Sequence, residues 1–387
     1  MEKKRDLPRM ILHGVIALYG LACLYLYKMQ SVADLTLSGP IPYQSDLPLH
    51  ISMVVEDHWY YSFTAYVYQL LYHICGGNTI GIALFLALVS WATIYCTEKL
   101  VCLLDDTKER TWRTLALALS LNFVMPVYLR FVGEYRYVSY QSANIWHNST
   151  YLCMKLLAIL TLSCYFRLRE HYADGITLKE WLLFMLLNVI CTGIKPSFLV
   201  AYSPIVGIFL LVDLFRKVPL GKILLFGSAL LPSGIVVLWQ NAVLFGQDTG
   251  NGITIKPWFS FALHANKAKL AVICSLLFCI GVIGVTIRKE WRDFRYLFVI
   301  CMTALGFLEA LCLVESGSRS VDGNFLWGYS ICIFFLFAVC SVKCMRLGGT
   351  KLLCIAKGIL AVLYGWHLYC GLLFFVRLVL GEGYWMR

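Results

Sequence analysis

This chain is poor in charge. Only 14% of its 387 residues are Asp, Glu, Lys or Arg, where a soluble globular protein carries about a quarter. No soluble domain, low-complexity tract or internal repeat stands out. Nucleotide and hydrolase signatures are missing too: there is no P-loop, GxGxxG, HExxH or GxSxG. An ATP-driven pump and a serine hydrolase therefore have no residues to stand on. The 16 cysteines form no CxxC pair and no Cys/His zinc spacing. Most lie inside apolar runs, Cys23, Cys164, Cys274, Cys279 and Cys332 among them. Buried there, cysteine packs as a small hydrophobe, and a disulfide framework drops out.

What is present instead is apolar surface, at 60% of the residues. Runs long enough to cross a bilayer are predicted at 10–27, 79–97, 114–132, 150–166, 181–194, 198–215, 223–244, 269–287, 296–314, 324–341 and 353–376. The fold class expected is all-α: a single polytopic membrane domain of about eleven transmembrane helices. Residues 28–78 form its first outer loop, which carries amphipathic helix. Ser31-Val32-Ala33 imitates a signal cleavage site, but the run from Met10 to Tyr27 is long enough to span, so an uncleaved first helix is expected.

The formal net charge of +11 sits in short clusters between the apolar runs. "MEKKRDLPR", "EKLVCLLDDTKERTWR", "RLREHYADGITLKE", "FRKVPLGK", "RKEWRDFR" and "KCMRLGGTK" hold about two-thirds of the Lys and Arg. That is the positive-inside pattern, so topology and the lipid bilayer explain the charge, with no nucleic-acid partner. These clusters are assigned to the cytoplasm, as is the N-terminus. The other connections, longer and rich in His, Tyr, Trp, Asn and acids, face outward and are where chemistry is expected. They are 28–78, 130–149, 193–197, 245–269 and 314–324.

In "SDLPLHISMVVEDH" (45–58), Asp46 precedes Leu47-Pro48, a good helix start. At about 100° per residue, Asp46, His50, Met53 and Asp57 share one stripe, with Leu47, Ile51, Val54 and Val55 opposite. A helix lying on the membrane, apolar side down, is expected. Asp46 and Asp57, with His50 and Glu56 nearby, either hold a divalent cation (Mg or Mn) or supply a base and its orienter. The alternative is that Asp46 only caps the helix and the rest are solvated.

"GEYRYVSYQSANIWHNSTYL" (133–152) brings Arg136, Trp146, His147 and Asn148 to the edge of a span. Beside hydrocarbon such groups need water or a ligand, and a ligand-lining loop is expected. Lys155 either points back to this loop or reaches for the interface. Lys195-Pro196 interrupts an apolar stretch, as an outer turn or as a functional cation. Arg319 lies among Glu315 and Asp322, either tying two spans together or clamping a phosphate.

The outer loop that opens on "SDLPLH" and continues to "VVEDH", after a single span, resembles the GT-C superfamily of polytopic glycosyltransferases. The resemblance implies inverting transfer of a sugar from a polyprenyl-phosphate carrier to an envelope glycan, lipid or protein acceptor. Asp46 would be the base, and Asp57, with Glu56 or His50, would hold a cation or order the loop. Arg319, Lys195 or Arg136 would neutralise the leaving phosphate, and Trp146, His147 and Asn148 would line the sugar or acceptor site. The soluble C-terminal domain of some members has no counterpart here. Two other classes fit the pattern: a polymerase or ligase of lipid-linked glycans, and a transporter or flippase of such a substrate.

Overall fold

The computed structural model describes residues 6–37, 41–245 and 252–387. The basic residues 1–5 and part of the 245–269 loop, at 246–251, lie outside the described residues. Fifteen helices and one two-stranded ribbon run in the order α1 (Leu7–Gln30), α2 (Leu47–Val55), α3 (Phe63–Ile74), α4 (Ile80–Leu104), α5 (Trp112–Leu121), α6 (Ser149–Arg169), α7 (Leu178–Ile194), α8 (Ser197–Phe215), α9 (Leu220–Ser228), α10 (Leu231–Phe245), β1 (Ile253–Ile255), α11 (Phe259–Ala262), α12 (Ala268–Glu290), α13 (Phe294–Cys312), β2 (Leu313–Glu315), α14 (Leu326–Met345) and α15 (Lys351–Val379).

Nine helices among the described residues are long and apolar enough to cross a membrane. They are α1, α4, α6, α8, α9 joined to α10, α12, α13, α14 with the turn before it, and α15, and they coincide with nine of the predicted spans. The molecule is an all-α polytopic membrane protein. α14 is buried along nearly its whole length, as a helix apolar on all sides should be. Local rules set the ends. Asp6 caps α1 by accepting from the Arg9 amide at 3.3 Å, Thr177 and Glu180 form a capping box on α7, and Pro196 forces Lys195 out of the helix into an extended conformation.

The remaining two predicted spans differ. The one at 181–194 is α7, whose 17 residues are at the lower limit for crossing. The one at 114–132 is corrected: the helix is α5 alone, and it stops at Leu121. Asn122, Asn144 and Pro126 explain why. The Asn122 amide bonds back to the Ala118 carbonyl at 2.8 Å, and Pro126 has no N–H to continue a ladder. Asn144 then donates from Nδ2 to the Leu121 and Val124 carbonyls at 2.9 and 2.8 Å.

From 122 to 148 the chain has no helix or strand, although its first and last stretches are buried. Such backbone survives beside hydrocarbon only when protein satisfies it. Met125 N–H donates to the His367 carbonyl (3.1 Å), Val127 N–H to that of Cys274 (3.1 Å), and Gln141 N–H to Ser275 Oγ (3.1 Å). α12 and α15 thus stand in for the missing helix. Lys155 points back to the 133–152 loop, at Asn144, and not to the interface. It is buried on α6, bonded to Asn122 Oδ1 at 2.9 Å and to Asn144 Oδ1, with Phe334 4.0 Å away.

The basic segments gather at one end, where carboxylates meet them. Arg9 grips the fully buried Glu98 at 2.8 and 3.1 Å. Arg295 bonds Asp106 (2.5 Å) and Glu170, Arg346 bonds Asp105 (2.7 Å), and Lys343 bonds Glu290 (2.6 Å) and Asp293 (2.5 Å). At the other end, β1 pairs antiparallel with β2, Thr254 opposite Val314, tying the 245–269 loop to the Arg319 loop.

The extended segment also leaves no room on α15. A Cβ at Gly371 would lie 1.4 Å from the Phe123 carbonyl oxygen. Gly371→Ala should therefore abolish the monodisperse folded peak in detergent size-exclusion, whereas Gly365→Ala, where a Cβ meets open space, should leave it intact.

Candidate functional site

A cavity of about 520 Å³ opens at the end of the bundle away from the basic segments, a volume typical of small-molecule sites. Asp46 is its first wall. It occupies the N-cap position of α2 but makes no capping bond. Ser45 Oγ accepts the Leu47 N–H at 3.3 Å, and the Asp46 carboxylate instead accepts from Asn148 Nδ2 at 2.7 Å. The Asp46 N–H donates to the His147 carbonyl at 3.0 Å. His50 and Met53 follow Asp46 into the cavity. Leu47, Ile51 and Val54 are buried against the bundle, so the apolar side of α2 packs on protein, where a lipid surface was expected.

Asn148 is the hinge of the arrangement. As N-cap of α6 its Oδ1 accepts from the Tyr151 N–H and from Thr150 Oγ1, both at 2.9 Å, which turns its Nδ2 toward Asp46. Asn148-Ser149-Thr150, an N-x-[ST] sequence, is thereby a buried cap. Lys195 reaches the same oxygens, at 3.3 Å from Thr150 Oγ1 and 3.5 Å from Asn148 Oδ1, and lies 4.5 Å from the Trp327 ring centroid. Burial lowers its pKa to about 8, with Asp46 opposing the shift and Arg319 adding to it. Arg319 enters from the turn at Gly317–Val321, its Nε 2.9 Å from Glu315 and 3.6 Å from Asp322. Asn324 Nδ2 shares the Glu315 oxygen at 2.8 Å.

The two imidazoles are neutral at pH 7. Burial pushes His50 and His147 down to about 4, against the pull of Asp46. His50 Nδ1 is 3.0 Å from Ser149 Oγ. His147 stacks on Tyr384, rings 4.1 Å apart and 13° from parallel, with Tyr137 edge-on at 4.6 Å. Its Nδ1 is buried with no hydrogen-bond partner among the described residues, and so is Oε1 of Gln240. Both residues line the cavity, and a ligand hydroxyl would satisfy either.

Of the residues singled out in the sequence, Asp46, His50, His147, Asn148, Lys195 and Arg319 converge on this cavity. Four do not line it. α2 ends at Val55, Glu56 is its C-cap, and His58 turns the chain at φ +53°. Asp57 therefore leaves the stripe and is exposed, as is Glu56, which only accepts from Ser52 Oγ at 2.8 Å. Arg136 lies over Tyr128 at 4.4 Å and donates to the Arg387 carbonyl at 3.1 Å. Trp146 is a core residue, packed on Phe375 at 5.4 Å, its Nε1 donating to Tyr19 at 3.2 Å. Asp57, proposed with Asp46 for a divalent cation, is not among the residues that line the cavity. No group of three His, Cys, Asp or Glu able to hold a metal ion occurs among the described residues.

Reading the sequence missed Gln240, Trp327, Tyr384 and Trp385, which also line the cavity. A lone Gln in the apolar run of α10 was the available signal for the first; the aromatic pair beyond the last span was the signal for Tyr384 and Trp385. Compared with protein-family models and with curated protein sequences, the chain matches none. Fold and cavity together define a multi-pass membrane protein with a polar, aromatic-walled pocket at one end.

The imidazoles make acid stability a readout. A histidine whose folded pKa is depressed binds fewer protons folded than unfolded, so its contribution is lost as pH falls from 6.5 through about 4. His147 accounts for about 3 kcal/mol over that window. Denaturant titrations in detergent at pH 7 and pH 4 should show His147→Gln losing less stability than the parent by about that amount; an equal loss would place His147 in water.

Proposed function

We propose that the chain is a GT-C-like membrane glycosyltransferase, moving a sugar from a polyprenyl-phosphate carrier to an extracytoplasmic envelope acceptor with inversion. The observation that carries the reading is the meeting of the Asp46 carboxylate with Lys195 and Arg319 around one cavity, from three segments far apart in sequence. Asp46 takes the proton of the acceptor hydroxyl as that oxygen attacks the anomeric carbon. The bond from this carbon to the phosphate oxygen breaks, and the lipid phosphate leaves with the electron pair. Asn148 holds the carboxylate in its orientation through the 2.7 Å bond. Lys195 and Arg319 neutralise the charge growing on the phosphate, the term to which a preorganised site contributes most.

Lys195 is suited to this part because neutral oxygens and a ring hold it, so its field is directed at whatever anion enters. The ion-paired basic end faces the cytoplasm and the cavity faces outward, as the positive-inside rule requires. On that orientation α7, and α5 with its extended continuation, complete eleven passages.

A transporter of the same lipid-linked sugar is the second reading. Its support is the interrupted helix after Leu121 with Lys155 buried beside it, a feature of transport proteins. Purified protein in liposomes, given a labelled polyprenyl-phosphate sugar and envelope acceptor fractions, separates the two. Asp46→Asn should lower covalent transfer by about two orders of magnitude or more with expression unchanged. Lys195→Met should cost a comparable factor of about 10²–10³ in kcat. Full transfer by Asp46→Asn would remove the base, and flux of label without a covalent product would replace the enzyme by a transporter.

A further inference from the structure

The segment that follows α15 is fastened at several points. Gly381 turns the chain at φ +105°. The Arg377 guanidinium then forks onto Glu382 at 2.5 and 2.6 Å and donates to the Arg387 carbonyl at 2.8 Å. Tyr43 N–H donates to the Gly381 carbonyl and Arg136 N–H to that of Met386, each at 3.0 Å. A Cβ on Gly383 would lie 2.9 Å from Gln44 Cβ and 3.0 Å from the Ile41 carbonyl, so the backbone approaches the first outer loop as closely as glycine allows.

What this fastening positions is a pair of rings. Tyr384 lies flat on His147, and Tyr137 stands edge-on to both. Trp385 is perpendicular to Tyr135 and to His264, at 5.2 and 5.1 Å. Tyr384 and Trp385 both line the cavity. The Asp46 charge is felt by Tyr384 and Tyr137 and also by Lys195, which in turn feels Arg319. The carboxylate is thus within electrostatic reach of both the aromatic pair and the cations, with Trp327 against both His147 and Lys195. Burial and then Asp46 push the Tyr384 phenol up to about 12, so it remains a donor.

We propose that Tyr384 and Trp385 form a platform for a pyranose, and that this pyranose is the acceptor, making the acceptor a carbohydrate rather than a protein side chain. A pyranose presents weakly positive C–H groups on its flat face and hydroxyls around its rim. The negative face of an aromatic ring suits the first; the unpartnered His147 Nδ1 and the Tyr384 hydroxyl suit the second. Its role as acceptor rests on the transferase reading, because only then must its hydroxyl reach Asp46. Lys195 and Arg319, lining the same cavity, are the groups suited to the donor phosphate.

The test reads binding, with the full chain in detergent micelles and a panel of methyl pyranosides as probes. Saturation-transfer NMR should show aromatic-to-C–H transfer for at least one glycoside. Tyr384→Leu and Trp385→Leu should each weaken it about tenfold, and Tyr384→Phe much less. Parent chain labelled with 5-fluorotryptophan needs no destabilising variant: the Trp385 resonance, assigned through Trp385→Phe, should shift on titration. A parent chain that binds none of the glycosides, or folded Leu variants that bind as before, overturns the platform. Pyranoside binding without sugar transfer in any assay would keep the platform and sink the transferase. Transfer to a protein acceptor at an unchanged rate in Tyr384→Leu would keep the transferase and sink the platform.

Discussion

Peptide groups that leave a helix beside hydrocarbon have no water to bond, and the stretch from 122 to 148 is built around that constraint. Three asparagines, together with groups of α12 and α15, resolve it. Asn122 closes the end of α5, Asn144 satisfies the Leu121 and Val124 carbonyls, and Asn148 caps α6. Each uses one end of its amide on backbone or on the neighbouring cap and offers the other outward. The free ends bind Lys155 at one point and Asp46 at another. The site is thus a continuation of the solution to a backbone problem. His147 and Asn148 stand at the cavity because the chain had to return there to start α6.

Charge is handled differently at the two ends of the bundle. At the basic end cations meet carboxylates: Arg9 with Glu98, Lys343 with Glu290 and Asp293, Arg295 with Asp106 and Glu170. Breaking a pair at the buried Glu98 or Lys343 strands a charge, which costs more than the pair contributes, so these residues read as staples between helices. At the cavity end Lys195 is held by hydroxyl and amide oxygens and by the face of Trp327. Burial has already lowered its pKa, and an incoming anion would relieve that penalty. The same residue type is structural in one place and available in the other, and the partner decides which.

Much of the architecture was legible in the chain. Nine apolar runs are helices of spanning length, Pro196 ends α7 where proline must, and the basic clusters meet at one end. Part of the site was legible too, since Asp46 and His50 recur at helical spacing and Lys195 and Arg319 are costly charges at span ends. Asp57 was lost because the stripe was extended past Val55, where α2 stops and His58 takes a left-handed conformation. Trp146 and His147 are neighbours in sequence, yet one ring enters the core and the other the cavity. The chain bends at both residues and has no helix there, so helical spacing does not tell which ring faces where.

Hydropathy and charge clustering are properties of short windows, so the sequence by itself determined that this protein is a helical membrane bundle with one basic and one acidic-aromatic end. Only the tertiary structure decided that the predicted span at 114–132 is half helix and half extended chain. Only there does Asn148 join Asp46 to Lys195, and the segment after α15 return two aromatic rings to the same cavity. Those outcomes depend on which distant groups satisfy one another's hydrogen bonds away from water, and no local window contains both partners.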